Sequence, residues 1–116
     1  MTINNFPLKK FEVPVSIAFA TDAKLSSAGD MGGTIISGLS CPAVINGTQA
    51  TFEVSIDGVT FTGLLDPDTG ADYIVPIVAS KSVPLKTTYF LPFRFVKVKT
   101  VTDQTANRVF KLASML

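Results

Sequence analysis

Thr51 to Phe61 read T-F-E-V-S-I-D-G-V-T-F, and the order of side chains in this stretch decides the fold class. Phe52, Val54 and Ile56 alternate with Thr51, Glu53 and Ser55, the period of two of a strand with one dry face and one wet face. Asp57 and Gly58 follow at once. A two-residue hairpin loop needs positive φ at both central positions, and Asp followed by Gly tolerates that at low steric cost. The stretch therefore predicts a tight β-hairpin, with Phe52, Val54, Ile56 and Phe61 facing the core.

Proline and glycine divide the rest of the chain into similar short runs. Strands are expected over Val13 to Phe19, Thr34 to Ser40, Thr48 to Ile56, Val59 to Leu65, Asp72 to Val78, Ser82 to Leu85, Arg94 to Lys99 and Arg108 to Leu112. Helical periodicity is nearly absent. About eight short strands at a spacing of roughly ten residues predict an all-β, antiparallel β-sandwich of jelly-roll-like type. Pro14 and Pro76 fall inside two of the runs and cannot donate to a ladder, which places those strands at sheet edges or interrupts them. Residues 1–12 differ in character from the rest of the chain. Phe6, Leu8 and Phe11 are interleaved with Pro7, Lys9 and Lys10, too irregular for a helix and too apolar for a free tail. They are expected to form an extended N-terminal arm and to supply the interface, on the chain's own domain or on a neighbouring subunit. Residues 13–116 are expected to form a single domain, as a length of 116 residues allows.

Composition narrows the function. Only 16% of residues are charged, against roughly 25% in an average soluble domain. Mean hydropathy is +0.40. A small domain normally covers its large relative surface with charge, so this deficit predicts an apolar surface that meets another protein, in a homo-oligomer or a larger assembly. Ten basic and nine acidic residues give a net charge of +1. Arg94, Lys97 and Lys99 are the nearest approach to a basic stripe, and an extended strand points Arg94 away from the other two, so nucleic-acid binding is disfavoured. Cys41 is the single cysteine; it can form no disulfide within the chain and is read as a small buried hydrophobe. No export signal and no membrane-spanning stretch is read in the sequence, and synthesis in the cytoplasm is expected.

Few residues suggest chemistry. Histidine is absent, which removes Ser-His-Asp and Cys-His catalysis and histidine metal sites. Asp66, Asp68 and Asp72 in L-D-P-D-T-G-A-D-Y have the alternate-residue spacing of a calcium loop, a weak metal candidate. The fifth, sixth and twelfth places hold Gly70, Ala71 and Ile77 where such a loop needs Asp or Asn, Gly and Glu. The simpler reading is a turn, opened by Asp66 and Pro67, with Gly70 at positive φ. Asp57 and Asp66 lack any signal of a glycosidase pair. Gly29, Gly32 and Gly33 lack the strand, helix and Lys-Ser/Thr pair of a phosphate loop and are read as a tight turn into the next strand. No catalytic residue and no cofactor is expected. Sugar binding by end loops is conceivable for a sandwich, although Trp is absent, Tyr occurs twice and most Phe fall at core-like positions.

Two resemblances are carried by particular residues. Ser55, Asp57, Gly58 and Phe61, with Arg94-Phe95-Val96-Lys97-Val98, resemble the hairpin and later strand of discoidin-like, galactose-binding jelly rolls. A longer pattern is similar to that of small virion-associated proteins of tailed bacteriophages. It comprises Ser26, Asp30, Gly32 and Gly33, then Pro42, the hairpin at Thr51 to Phe61, Arg94 to Val98, and Gln104, Arg108 and Val109. The chain departs from it after Val98, with Lys99-Thr100-Val101-Thr102 in place of a Ser-Gly-Thr turn. This resemblance implies a non-enzymatic virion protein whose partners are capsid or tail proteins of the same particle. A capsid decoration protein that cements the shell comes first. A tail or head–tail accessory piece, such as an adaptor or fibre anchor, is the alternative, and a module binding host glycans is the other.

Overall fold

The computed structural model describes residues 13–115. The expected arm, with Phe6, Leu8 and Phe11, lies outside the described residues. The strands are β1 (Val15–Phe19), β2 (Ala23–Leu25), β3 (Gly29–Asp30), β4 (Ile35–Ser40), β5 (Gln49–Ser55), β6 (Thr62–Gly63), β7 (Leu65–Asp66), β8 (Ala71–Asp72), β9 (Val75–Pro76), β10 (Ser82–Pro84), β11 (Phe95–Gln104) and β12 (Arg108–Met115), with one helical turn, α1 (Thr87–Phe90). All pairings are antiparallel. One sheet runs β1-β12-β4-β10 and the other β2-β11-β5-β6, with β3 beside β11 and β9 beside β5; β7 and β8 form a small ribbon. The chain is thus an all-β, antiparallel, jelly-roll-like β-sandwich.

Alternation builds the core. Ile17 and Phe19 of β1, Phe110 and Leu112 of β12, and Ile36 and Leu39 of β4 line one inner face. Phe52 and Val54 of β5 and Val96 and Val98 of β11 line the other. Phe19 meets Phe110 at 5.1 Å between ring centroids, and Phe52 takes Phe90 edge-on at 5.1 Å and Tyr73 stacked at 5.8 Å. Such pairs contribute about 0.5–1.5 kcal/mol each beyond the burial of their area.

The hairpin that decides the fold class has a different tip from the one expected. β5 pairs with β6 through Glu53–Gly63 and Val54–Thr62, so residues 55–61 form the connection rather than Asp57 and Gly58 alone. Only Gly58 has positive φ, at 80°. The Asp57 carboxylate folds the longer loop instead. Its Oδ1 accepts from the Val59 and Thr60 amides at 2.8 and 3.0 Å and from Ser55 Oγ at 2.9 Å, and Ser55 Oγ in turn accepts from the Gly58 amide at 2.8 Å. The alternation breaks at Ser55, which is buried, and Ile56 is turned out with 74% of its surface exposed. Phe61 is half-buried, with Lys97 Nζ 4.3 Å from its ring centroid.

Other boundaries differ for equally local reasons. The run from Val59 to Leu65 is reduced to β6 and the first residue of β7. Tyr73, Val75 and Ile77 alternate with exposed Ile74, Pro76 and Val78 as a strand should, yet only Val75 and Pro76 pair. Pro14 precedes β1, an edge strand, and Pro76 sits in the short β9. β2 and β3 are too short to show a period in the sequence, and β11 continues to Gln104 with a register slip against β2 between Lys99 and Gln104. Cys41 is half-buried against the core, and burial pushes its thiol pKa up.

Candidate functional site

One side of the loop-bearing end gathers most of the residues that the motifs single out. Ser26 to Asp30 lies against Arg94 to Val98. The Ser26 amide donates to Val98 O and the Val98 amide to Ser26 Oγ, both at 2.9 Å. Four residues away, Arg94 forks onto Asp30, Nε to Oδ1 at 2.9 Å and Nη2 to Oδ2 at 3.0 Å. In the ladder itself Asp30 lies opposite Phe95 and Gly29 opposite Val96, one residue out of step with Ser26 opposite Val98, so the two motifs mark neighbouring antiparallel segments. The Gly32 amide also donates to Asp30 Oδ1, at 2.9 Å. A Cβ on Gly32 would lie 3.0 Å from both Arg94 Nε and Asp30 Oδ1, so glycine lets the fork close. The guanidinium first, then the Gly32 amide, hold the Asp30 carboxyl down at about 2.

Beside this fork opens a cleft of about 520 Å³ lined by Gly32, Gly33 and Thr34 on one wall and Leu91, Pro92 and Phe93 on the other. Phe93 also borders two adjoining depressions. One, of about 220 Å³, runs along Val54, Ile56, Thr60 and Thr62 at the hairpin tip. The other is an apolar groove of about 320 Å³ between β6–β7 and α1, bordered by Gly63, Leu65, Pro67, Thr88 and Tyr89. Ile56, Val59, Leu65 and Leu91 are exposed around them. The stretch K-T-T-Y-F-L-P-F-R, residues 86–94, thus supplies much of the surface. Reading for strands passes over it because its aromatics follow neither a period of two nor a full helical repeat. Pro92, just past the single turn of α1, is the available sign of an exposed bend.

Asp66 and Asp68 flank Pro67 of the groove in a turn. Asp66 O accepts from the Gly70 amide at 2.8 Å, Asp66 Oδ1 from the Asp68 amide at 2.9 Å, and Gly70 has φ of 75°. Both carboxylates face the Tyr89 hydroxyl, at 3.2 and 2.9 Å, and Lys86 Nζ lies 3.6 Å from Asp68. Desolvation first, then these carboxylates, push the Tyr89 phenol pKa up. Asp72 does not join that contact; among the described residues no three His, Cys, Asp or Glu side chains come together to hold a metal ion. Gln104, from the longer motif, is fully buried at the opposite end. Its Nε2 donates to Asn46 O at 2.8 Å and to Thr100 Oγ1 at 3.1 Å, while its Oε1 accepts from the Asn46 amide at 3.0 Å. It shapes a loop and lines none of the three depressions.

No known protein family matches the sequence, and no curated protein matches it. Among solved structures, the chain is similar to CBM32-1 from a family 31 glycoside hydrolase from Clostridium perfringens, at 19% identity and a TM-score of 0.39 over 84% of this chain and 75% of that one.

Proposed function

We propose that the chain is a structural subunit that docks on a larger assembly through the apolar surface around Phe93. The observation that carries this reading is the continuity of that surface: the two apolar depressions, at the hairpin tip and beside α1, share one half-buried Phe93, exposed Ile56 and Leu65 line them, and exposed Leu91 stands in the adjoining polar cleft. Sparse charge elsewhere supports it, because a free domain of this size gains solubility by placing charge where these residues stand. The resemblance in Ser26 to Gly33, Thr51 to Phe61 and Arg94 to Val98 supports the virion of a tailed bacteriophage as that assembly. Capsid decoration in a homo-oligomer is the first expectation and a tail or head–tail accessory the second. Electron microscopy of purified particles tests it. Copies on the order of hundreds on the shell are expected; about six or twelve would place the subunit on the tail axis, and none would overturn the reading. The double variant Ile56→Asp, Leu91→Asp is expected to leave the particle bare.

A second reading, glycan binding, is favoured by the cleft itself. A charged fork, an open backbone at Gly33 and an apolar wall at Leu91 to Phe93 form a recess of the size that small ligands occupy. A glycan array separates the two: binding lost in Arg94→Ala supports a sugar site, and a blank array removes it.

A further inference from the structure

We propose that the groove between β6–β7 and α1 receives residues 6–11 of a second copy of this chain. The inference rests on the assembly reading above and names the first contact of that assembly. The groove is apolar along Leu65, Pro67 and Phe93, and Gly63 on the edge strand β6 leaves backbone open beside it. An extended segment is what an edge and an apolar trough accept together. Residues 6–11, F-P-L-K-K-F, offer Phe6, Leu8 and Phe11 with Pro7 to favour an extended backbone.

Charge agrees with the fit. Asp66 and Asp68 flank Pro67 of the groove and lie 3.2 and 2.9 Å from the hydroxyl of Tyr89, which lines it, and Asp72, paired with Leu65, lies with Oδ1 4.0 Å from where a Gly63 Cβ would stand. Against these three carboxylates stands Lys86, so three negative charges less one positive leave a rim of −2. Lys9 and Lys10 are adjacent basic residues, and residues 6–11 contain no acid.

The path of the chain favours a neighbour's groove. β1 begins where Val15 Cγ1 lies 3.0 Å from the position of a Gly29 Cβ, beside β3. The groove lies past β11 and β5 at β6, three strand spacings or roughly 14 Å away. β1 thus begins at one edge of the sandwich while the groove opens at the other. Joining one edge to the other is a head-to-tail contact, which closes into a ring or runs on as a string. Six extended residues span roughly 20 Å, enough to line the groove.

Sedimentation velocity on full-length chains tests the proposal. The unaltered chain is expected to self-associate, and Leu65→Asp in the groove or Leu8→Asp in the segment to weaken this at least roughly ten-fold. Leu65 is 55% exposed, so its change leaves the fold intact. Mixed in equal amounts, the two variants are expected to recover a 1:1 dimer, because an intact segment then meets an intact groove. A monomeric unaltered chain, unweakened variants, or a mixture that recovers nothing because each segment folds onto its own chain would overturn the proposal. If self-association is unweakened while particles still carry Leu8→Asp chains, the segment contact fails and the assembly reading stands.

Discussion

Arg94 shows how a motif residue acts at the scale of single atoms. Its fork onto Asp30 depends on Gly32 leaving room, and the pair sets one wall of the cleft. Because the Asp30 pKa is lowered from 3.8 to about 2, what the pair contributes to stability is fully present above 3.8 and is lost as pH falls through about 2. A carboxyl-carbon NMR titration is expected to give Asp30 a midpoint near 2, returning toward 3.8 in Arg94→Gln; an unmoved midpoint would show that the guanidinium is not the cause. Asp57 is lowered for another reason, the amides of Thr60 and Val59 and then the Ser55 hydroxyl. Its importance to the turn is legible in the sequence, but its means are not. Propensity marks Asp-Gly as a turn without showing whether backbone dihedrals or a side-chain acceptor form it. Gly58 is constrained twice, by φ of 80° and by the Phe95 ring, 3.0 Å from where a Cβ would stand. Gly58→Ala is expected to cost about 1–2 kcal/mol in a urea melt, whereas Asp57→Asn keeps the acceptor and changes little.

At the scale of elements, long alternating runs are readable and short ones are not. β1, β5, β11 and β12 carry the core in a period of two, β4 does so with a bulge between Ile36 and Leu39, and each starts within two residues of its expected place. β2, β3, β6, β7, β8 and β9 are two or three residues long; no period shows in so few residues, and tertiary pairing alone defines them. Gln104 illustrates the same limit for a loop. A buried glutamine reads as a surface residue until its partners, among them the Asn46 amide and carbonyl and the Thr100 hydroxyl, are in place. Removing it leaves polar groups of the 41–48 segment and β11 without their partner. Gln104→Ala is expected to destabilise by roughly 2–3 kcal/mol and to speed amide exchange at Asn46 first. Equal protection of Asn46 in both proteins would show that the loop holds itself.

For the whole molecule, the question is which apolar residues hold the fold and which are kept for a partner. Composition reports a surplus of apolar surface without locating it, because an exposed Leu91 and a buried Leu112 look alike in a count. The sandwich separates them: Phe110 and Leu112 have no exposed surface, while Leu91 is 58% exposed beside Phe93. Substitutions should therefore divide into two classes. Phe110→Ala opens a cavity between the sheets and is expected to cost about 3–5 kcal/mol, taking every activity down with the fold. Leu91→Asp removes a side chain most of whose surface is already in contact with water, so its stability should stay within about 0.5 kcal/mol of the unaltered chain. Its binding should not. Docking that buries Leu91 against a partner would force an unpaired carboxylate out of water, and occupancy on the assembly is expected to fall at least roughly ten-fold, a change of about 1.4 kcal/mol. Denaturation midpoints measured beside occupancy decide the point. A Leu91→Asp chain that unfolds early would assign the surface to the core, and one that docks normally would move the interface to another face of the sandwich.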